Sequence, residues 1–339
     1  VKKIAKSRGI EVGVFEEGYL RPDYVTLENS GVNGHSSLPS TPIFYLNRRM
    51  PDAQPTLPVG NTFWHAALWA TLYYVACSLL HPWFRHYRHH RPCTLKEAIP
   101  WLRSAWRKKY YAVKESRLQE ELTSRLSHKY FLVPLQVHND SQICVHSPYA
   151  KVEDFIRSVV KSFARYAPKE TVLVFKHHPM DRGYYDYSRL MEELRHSSKL
   201  KDRLWYVHDL HLPTLLKHAR GVVLVNSTVG MSALHHRIPT KVLGTAIYDM
   251  QGLTFRGSLE TFWRQARHYP VDGELYECFR RYLIAHTQIN GSFYKRLDVT
   301  SSHTGLRWKK SQEIRSAEPE TRDGLESVQN SCQALDLLT

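Results

Sequence analysis

The sequence predicts an α/β protein with a parallel sheet, and three observations support this fold class. Short, β-branched apolar runs recur at residues 130–136, 171–175 and 221–225, and such runs are typical of strands buried on both faces of a sheet. Segments of helical period separate these runs. Basic or small polar residues follow two of the runs directly, at 176–179 (KHHP) and 226–228 (NST). Alternating strands and helices predict a parallel sheet with a ligand crevice beyond the carboxyl ends of its strands.

This part of the chain is predicted to form a C-terminal domain over residues 126–298. Its predicted elements are strands at 130–136, 171–175, 204–207, 221–225 and 240–243, and helices after Pro148, at 187–197, at 213–219, after Asn226 and at 274–286. From residue 298 onward the periodicity is lost and the composition turns polar. Residues 299–339 are therefore expected to form a disordered tail.

The N-terminal domain, residues 1–125, starts with what reads as the end of a helix. Gly9 is the predicted stop of that helix, and residues 11–15 are the predicted first strand. A Rossmann-like unit has a strand before such a helix, and the chain starts with Val1 rather than Met. We therefore expect this domain to be incomplete. Residues 29–60, rich in Gly, Ser, Pro and Asn, predict a long loop.

Two adjacent carboxylates end the first strand. Glu16 and Glu17 precede Gly18, a residue type that allows the backbone to turn tightly. Such a pair suits action on a ligand at the end of the strand. It suits a solvated turn equally well, so the residues alone leave both interpretations open.

An apolar segment and a basic segment complete the N-terminal domain. Residues 63–80 carry no Asp, Glu, Lys or Arg. Their length is near the lower limit for a membrane span, but their polar side chains favour a buried or interfacial helix. Residues 85–117 carry ten Lys or Arg against two Glu. Their apolar positions form one helical stripe, away from several of the basic ones: Ile99, Leu102, Trp106, Tyr110 and Val113, against Arg103, Arg107 and Lys114.

A basic amphipathic helix beside an apolar one is typical of a surface that binds anionic membranes. A solvated basic face is the simpler alternative. Nucleic acid is a competing partner for a chain of net charge +15, but the sequence contains no helix-turn-helix, zinc-finger or RNP-like motif. We therefore expect no nucleic-acid partner.

The composition fits a two-domain globular protein with anionic ligands. The chain has 339 residues, 42% of them hydrophobic, which is enough for two cores. Its five cysteines contain no CxxC pair, which favours a reducing cytoplasm and argues against a disulfide framework. No acidic pair of DxD type follows a strand, so no metal site is expected.

Several motifs together resemble those of a known family. They are residues 15–23 (FEEGYLRPD) with 26–28 (TLE), 133–136 (VPLQ) with Asp140 to Gln142, 176–179 (KHHP), 225–230 (VNSTVG), and Gly244 with Tyr248-Asp249 and 252–254 (GLT). The ordered set resembles the capsular polysaccharide biosynthesis and export family of the KpsS and LipB type. Members of that family are bacterial transferases of 3-deoxy-D-manno-octulosonic acid (Kdo).

The resemblance implies a GT-B-like glycosyltransferase with two Rossmann-like domains facing a cleft. The donor would be CMP-Kdo, with no cofactor. The acceptor would be an anionic glycerophospholipid, phosphatidylglycerol or its lyso form, on which the poly-Kdo linker of a capsule begins. The resemblance also implies a cytoplasmic protein, peripheral on the inner membrane, with other capsule assembly and export proteins as partners.

The resemblance assigns roles to particular residues. Relatives that extend the linker are retaining β-Kdo transferases with an aspartate before the motif's glycine, and here Glu17 takes that place as nucleophile or base. Arg21 would meet the Kdo carboxylate, while Asp140 would be a second carboxylate or contact the cytidine ribose. The residues expected to stabilise the phosphate of the leaving CMP are Lys176, His178, Ser227 and Thr228. The substrate-binding set is completed by Gln136, Asn226 and Gly230.

Two other functions stay open at this point. A nucleotide-sugar epimerase of the same architecture would use Glu17 and His178 on a UDP-sugar. A basic membrane-bound scaffold for capsule export would not use the crevice for chemistry.

Overall fold

The computed structural model describes residues 2–29, 31–52, 55–87, 98–297 and 304–307. Its strands are β1 (Gly13–Glu17), β2 (Tyr24–Asn29), β3 (Tyr130–Pro134), β4 (Val172–Lys176), β5 (Leu204–Val207), β6 (Gly221–Leu224), β7 (Thr240–Val242) and β8 (Gln288–Asn290). Its α-helices are α1 (Lys2–Ser7), α2 (Pro42–Leu46), α3 (Phe63–Leu80), α4 (Ala98–Lys114), α5 (Ser116–Thr123), α6 (Ser141–His146), α7 (Val152–Tyr166), α8 (Ser188–Ser197), α9 (Leu212–His218), α10 (Val229–His235), α11 (Leu259–Gln265) and α12 (Gly273–Thr287).

The larger sheet has five parallel strands in the order β5-β4-β3-β6-β7. The predicted α/β fold class is therefore confirmed. From β3 the chain adds β4 and β5 on one side, then returns and adds β6 and β7 on the other. A sheet of this order binds ligands where the direction of winding reverses, outside the carboxyl ends of the strands. That point lies between β3 and β6.

Apolar side chains cover both faces of this sheet. Along β3, Phe131 and Val133 pack into the cluster with α7, whereas Tyr130 and Leu132 belong to the opposite cluster with α9, α10 and α12. Successive residues of a strand point to opposite faces, so a strand apolar at every position is buried on both sides. This explains why the predicted strands lie close to the observed ones.

The smaller sheet is antiparallel, in the order β1-β2-β8. Because β8 follows the parallel sheet in sequence and pairs with β2, the chain returns to its N-terminal part. Within the described residues, the N-terminal strands β1 and β2 belong to this antiparallel sheet. The predicted division of the chain into two Rossmann-like domains stays a prediction.

Two expectations for polar segments need correction. The predicted loop at 29–60 contains α2, whose Tyr45 is fully buried against Phe279. Within the predicted disordered tail, Leu306 is buried beside Val25 and Ile289. Apolar residues isolated in a polar stretch carry no periodic signal, so the sequence did not reveal these contacts. The rest of the predicted tail lies outside the described residues.

Helix α3 is not a buried helix, which corrects one of the two environments expected for it. None of its residues is buried, and by length and composition it is the one helix among the described residues that could cross a membrane. It contacts α4, which continues through Glu115 into α5. Residues 88–97, part of the predicted basic segment, lie outside the described residues.

Candidate functional site

A hydrogen-bonded polar network lies where the winding of the parallel sheet reverses. Gln136 follows β3, and its Nε2 donates to Oδ2 of Asp140 and to Oδ1 of Asn226, both at 3.0 Å. Asn226 follows β6 and donates from Nδ2 to the carbonyl of Gln142 at 2.9 Å. The three predicted residues are thus brought together. Within the part of the chain that the structure describes, the Oε1 atom of Gln136 is buried and accepts no hydrogen bond, so a polar partner that reached it would be stabilising.

Asp140 has a structural role in this network. Its Oδ1 accepts a hydrogen bond from the backbone N–H of Gln142 at 2.9 Å, which caps the N-terminus of α6. Its Oδ2 accepts the bond from Gln136. Since both carboxylate oxygens already bind protein donors, the geometry favours positioning of Gln136 over the catalytic role predicted for Asp140.

The turn after β6 presents small polar residues to the crevice, whereas Gly230, which follows them, has a packing role. Ser227 and Thr228 are half-buried and precede α10. A Cβ atom on Gly230 would lie 2.2 Å from the hydroxyl oxygen of Tyr248, which itself donates to the carbonyl of Ser227. Gly230 therefore makes room for a buried tyrosine, and its geometry does not support the predicted substrate contact.

The turn after β4 lies on the other side of β3, at the same edge of the sheet. Lys176 is buried, and its Nζ donates to the carbonyl of His208 at 3.1 Å. Burial lowers the pKa of Lys176 to about 8, and the nearby Arg182 lowers it as well, while Asp209 opposes the shift. Its charge lies beneath the edge of the sheet, so the structure supports an effect through its field rather than the direct phosphate contact predicted for it.

His178 is the member of this turn that is open to a ligand. Burial lowers the pKa of its imidazole, and the charges of Lys176 and Arg21 lower it too, against the influence of Asp181 and Asp140. The ring is therefore neutral near pH 7. Its Nδ1 accepts a hydrogen bond from the backbone N–H of Met180 at 3.2 Å, so its proton is on Nε2. A neutral imidazole donating from Nε2 can bind a phosphate oxygen, and the role of His178 at the phosphate stays a prediction.

Glu17 and Arg21 flank the turn that follows β1. The guanidinium Nε of Arg21 lies 3.9 Å from Oε2 of Glu17, and Tyr294 donates a hydrogen bond to the same carboxylate. A Cβ atom on Gly18 would lie 2.0 Å from the carbonyl oxygen of Tyr24, so only glycine fits between them. The charge of Arg21 also contributes to lowering the pKa of His178, so the two side chains are close enough to interact electrostatically.

Two buried acid–histidine pairs at the same edge were not found from the sequence. Asp181 is fully buried, and its Oδ1 lies 2.6 Å from the imidazole Nδ1 of His138, a residue that follows β3. Glu115 holds His208, which follows β5, at 2.8 Å. Each histidine lies within two residues of a predicted strand end, and this position was the available signal. The acids carry no local motif, so only the tertiary structure reveals them.

Among the described residues, no three His, Cys, Asp or Glu side chains are grouped as ligands for a metal ion. The expectation of a metal-free reaction stays a prediction. The candidate site therefore consists of hydrogen-bond donors and acceptors at the sheet edge, with one carboxylate and one guanidinium opposite.

This arrangement defines the class of protein. The chain is an α/β protein whose parallel sheet has the winding reversal of a Rossmann-like ligand crevice, and Arg21, in the turn after a strand of the second sheet, acts electrostatically on His178. It belongs to the capsule polysaccharide biosynthesis protein family, whose model matches residues 1–294. The motifs that carried the resemblance therefore identified the family correctly.

Two relatives illustrate the match. The capsule polysaccharide export protein KpsS of Escherichia coli is 46% identical over 301 residues, covering 86% of this chain and 75% of the relative. The capsule polysaccharide modification protein LipB of Neisseria meningitidis serogroup A is 39% identical over 310 residues, covering 89% of this chain and 73% of the relative. A solved structure of Thermosulfurimonas dismutans KpsC, a beta Kdo 2,7 transferase, is 18% identical with a TM-score of 0.38, covering 81% of this chain and 72% of that one.

Proposed function

We propose that the chain transfers Kdo from CMP-Kdo to an anionic glycerophospholipid, phosphatidylglycerol or its lyso form, and so begins the linker of a capsular polysaccharide. The observation that carries this proposal is the meeting of two kinds of group at one edge. His178 and the Gln136 network belong to the parallel sheet, and Arg21 with Glu17 belongs to the turn opposite. The donors and acceptors of the parallel sheet suit a nucleotide, and the guanidinium and carboxylate of the turn suit a sugar acid.

The donor's leaving group would lie on the parallel sheet. As the bond between Kdo and CMP breaks, negative charge grows on the phosphate oxygens. The Nε2–H of His178 and the hydroxyls of Ser227 and Thr228 are donors for those oxygens, and the charge of Lys176 beneath them lowers the energy of the departing phosphate. The buried Oε1 of Gln136, which accepts no hydrogen bond from the described residues, would accept one from the nucleoside once binding uncovers it.

The sugar would lie against the turn after β1. Arg21 is half-exposed and is a suitable partner for the carboxylate of Kdo, because a guanidinium matches a carboxylate in charge and shape. In a retaining double displacement, a Glu17 oxygen forms a bond to the anomeric carbon as CMP leaves. The acceptor hydroxyl then attacks that carbon as the bond to the Glu17 oxygen breaks, its proton passes to solvent water, and Glu17 is again a free carboxylate. With inversion, Glu17 would instead take the proton from the acceptor.

The setting of this reaction is the cytoplasmic face of the inner membrane, with the chain attached peripherally and working beside other capsule assembly and export proteins. Two relatives are named for capsule polysaccharide export and modification, which supports a place among the capsule proteins. No cofactor takes part in the proposed reaction.

The test is the release of CMP from CMP-Kdo, with and without a fluorescent phosphatidylglycerol acceptor. Glu17→Gln keeps the shape of the side chain and removes its charge. Turnover should fall at least ~100-fold, the scale expected for losing a general base or nucleophile, while binding of CMP survives.

Glu16→Gln is the matched control. Glu16 is exposed and accepts the backbone N–H of Glu17 at 3.1 Å, so this variant should stay within a few-fold of wild type. If the two variants behave the other way round, the catalytic residue is Glu16. Two results together would reject the proposal: CMP-Kdo stays intact with every acceptor tested, and the protein turns over a UDP-sugar.

A further inference from the structure

The strongest feature outside the candidate site is an exposed apolar surface on α3 and α4. We call it the α3–α4 face. It consists of the exposed side chains of α3, of residues 81–87, and of the outward stripe of α4 (Ile99, Leu102, Trp106, Tyr110 and Val113). More than half of the large hydrophobic side chains exposed in the described residues belong to this face.

Helix α4 is amphipathic, but its polar side contacts the protein and its apolar side is exposed, which is the reverse of the usual arrangement on a protein surface. Its polar side is bound to the protein, because Arg107 donates to the carbonyl of Arg182 at 2.9 Å and lies 3.4 Å from Asp186. Its apolar side points outward, and Leu102 and Val113 are 72% and 78% exposed. Arg107 is therefore not available to lipid headgroups. It also means that the apolar stripe has no partner within the described residues.

Helix α3 adds to the same exposed surface. A helix that is apolar on all sides normally lies in a protein core or in lipid, yet no residue of α3 is buried. Trp64, Trp69, Trp83 and Trp106 are 74%, 59%, 76% and 64% exposed, which at ~250 Å² for a whole side chain amounts to roughly 680 Å². The summed area of these four side chains is already of the order of the largest apolar patch of a typical monomer, ~300–600 Å².

The packing of α3 along α4 decides its orientation. Phe63, at the start of α3, lies 5.9 Å from the Nζ of Lys108, and Tyr74 lies 5.7 Å from Trp101. The two helices thus run side by side in opposite directions. Since α4 is fixed to the parallel-sheet domain through Arg107, α3 cannot stand across a bilayer without drawing the lysines of α4 into it. The α3–α4 face is suited to lie in the plane of a membrane.

The charges around the face indicate which surface it binds. Between Asp52 and Glu115 the sequence contains a single acidic residue, Glu97. Exposed lysines border the apolar stripe, and the Nζ of Lys114 lies 5.4 Å above the ring of Tyr110. Long basic side chains can reach a headgroup layer while the apolar residues beside them enter it. A second copy of this chain would present the same positive charge and be repelled.

The geometry points to a monotopic docking surface: the α3–α4 face inserts into one leaflet of an anionic bilayer. The apolar side chains provide most of the binding energy, and the bordering lysines provide the preference for anionic lipid. Arg107 takes no part. This inference does not depend on the reaction proposed above, because docking is measured without a sugar donor.

The test is flotation of the full-length protein with vesicles of phosphatidylcholine alone or of phosphatidylcholine and phosphatidylglycerol in equal parts. In the variant Leu102→Asp/Trp106→Asp, the partition coefficient on the mixed vesicles should fall at least ~100-fold, because charge replaces inserted apolar area. Neutralising Lys109 should weaken binding ~5-fold. Ile43→Asp is the matched control, since Ile43 is 62% exposed on α2, and it should float as wild type does.

Four results would overturn the inference. The first is a double variant that binds as wild type does, and the second is wild type that binds neutral vesicles as well as anionic ones. The third is a wild-type dimer in solution that the double variant converts to monomer, which would make the face an interface between copies. Retention in membranes after alkaline carbonate extraction would make α3 a span. Because both substituted side chains are exposed, an unchanged thermal melt will show that the variant is folded.

Discussion

Glu115 lies at the junction of α4 and α5, and its removal gives a sharp test of how these helices are held. Its Oε1 accepts from the backbone N–H of His208 at 3.0 Å and lies 2.8 Å from the imidazole Nδ1. Its Oε2 accepts from the N–H groups of His208 and Asp209 at 2.9 and 3.0 Å. The carboxylate is 4% exposed, and Tyr111 stacks on the His208 ring at 3.6 Å between centroids.

In Glu115→Ala, two backbone N–H groups and one imidazole lose their partner within the protein. At ~1–3 kcal/mol for each buried group left unpaired, we expect unfolding free energy to fall by ~3–5 kcal/mol, the range seen when one member of a buried charged pair is removed. At ~2–4 °C per kcal/mol for domains of this size, the midpoint of thermal unfolding should drop by roughly 6–20 °C. Differential scanning calorimetry and urea unfolding measure both quantities.

The control for this experiment is Glu120→Ala, in the exposed part of α5, which should change the free energy of unfolding by less than ~0.5 kcal/mol. A loss below ~1 kcal/mol in Glu115→Ala would refute the assigned role. Burial alone raises the pKa of Glu115, but hydrogen bonds from His208 and Asp209 outweigh it and the pKa is lowered. The carboxylate therefore stabilises the fold above its unfolded pKa, and this contribution is lost as pH falls through its folded pKa. Glu115→Gln should lack that acid-dependent loss.

Two further predictions concern the candidate site. Because the pKa of Lys176 is lowered to about 8, its positive charge is lost as pH rises through 8. The dissociation constant for CMP, measured calorimetrically, should then rise up to ~10-fold per pH unit, whereas Lys176→Arg should give a flat profile to pH 9; identical profiles would contradict this. Gly230→Ala places a methyl group 2.2 Å from the Tyr248 hydroxyl oxygen, so urea unfolding should show a loss of ~1–3 kcal/mol. Combining it with Tyr248→Phe should recover part of that loss, and no recovery would show that the contact is not the cause.

The parallel sheet was predictable because its strands are apolar at nearly every position. The run from Gly221 to Leu224 has no polar residue and is fully buried, so its burial was predictable from the amino-acid sequence alone. The placement of Asn226 beside Gln136 followed from a rule of α/β sheets rather than from the residues themselves. Both side chains end neighbouring parallel strands.

The orientation of α4 was not predictable, although its stripe was. A helical pattern shows which residues share a face, but it does not show whether that face meets the protein or the surroundings. Here the partners of Arg107 lie seventy-five or more positions away, at Arg182 and Asp186. The acid of the Glu115–His208 pair is equally distant in sequence. Such contacts depend on the completed fold, and a single sequence carries no local trace of them.

The pairing of β8 with β2 has a consequence for the timing of folding during synthesis. Tyr24 lies opposite Asn290, and the side chain of Gln288 donates to Thr26 across 262 positions of sequence. At a ribosomal rate of ~5–20 residues per second, β2 waits roughly 15–50 s for its partner strand to be made. During that time its hydrogen-bonding edge is open to other chains. The parallel sheet can form while β2 waits, and the nascent chain therefore depends on protection of its N-terminal strands, by a chaperone or by the β1–β2 hairpin itself, until β8 has been synthesised.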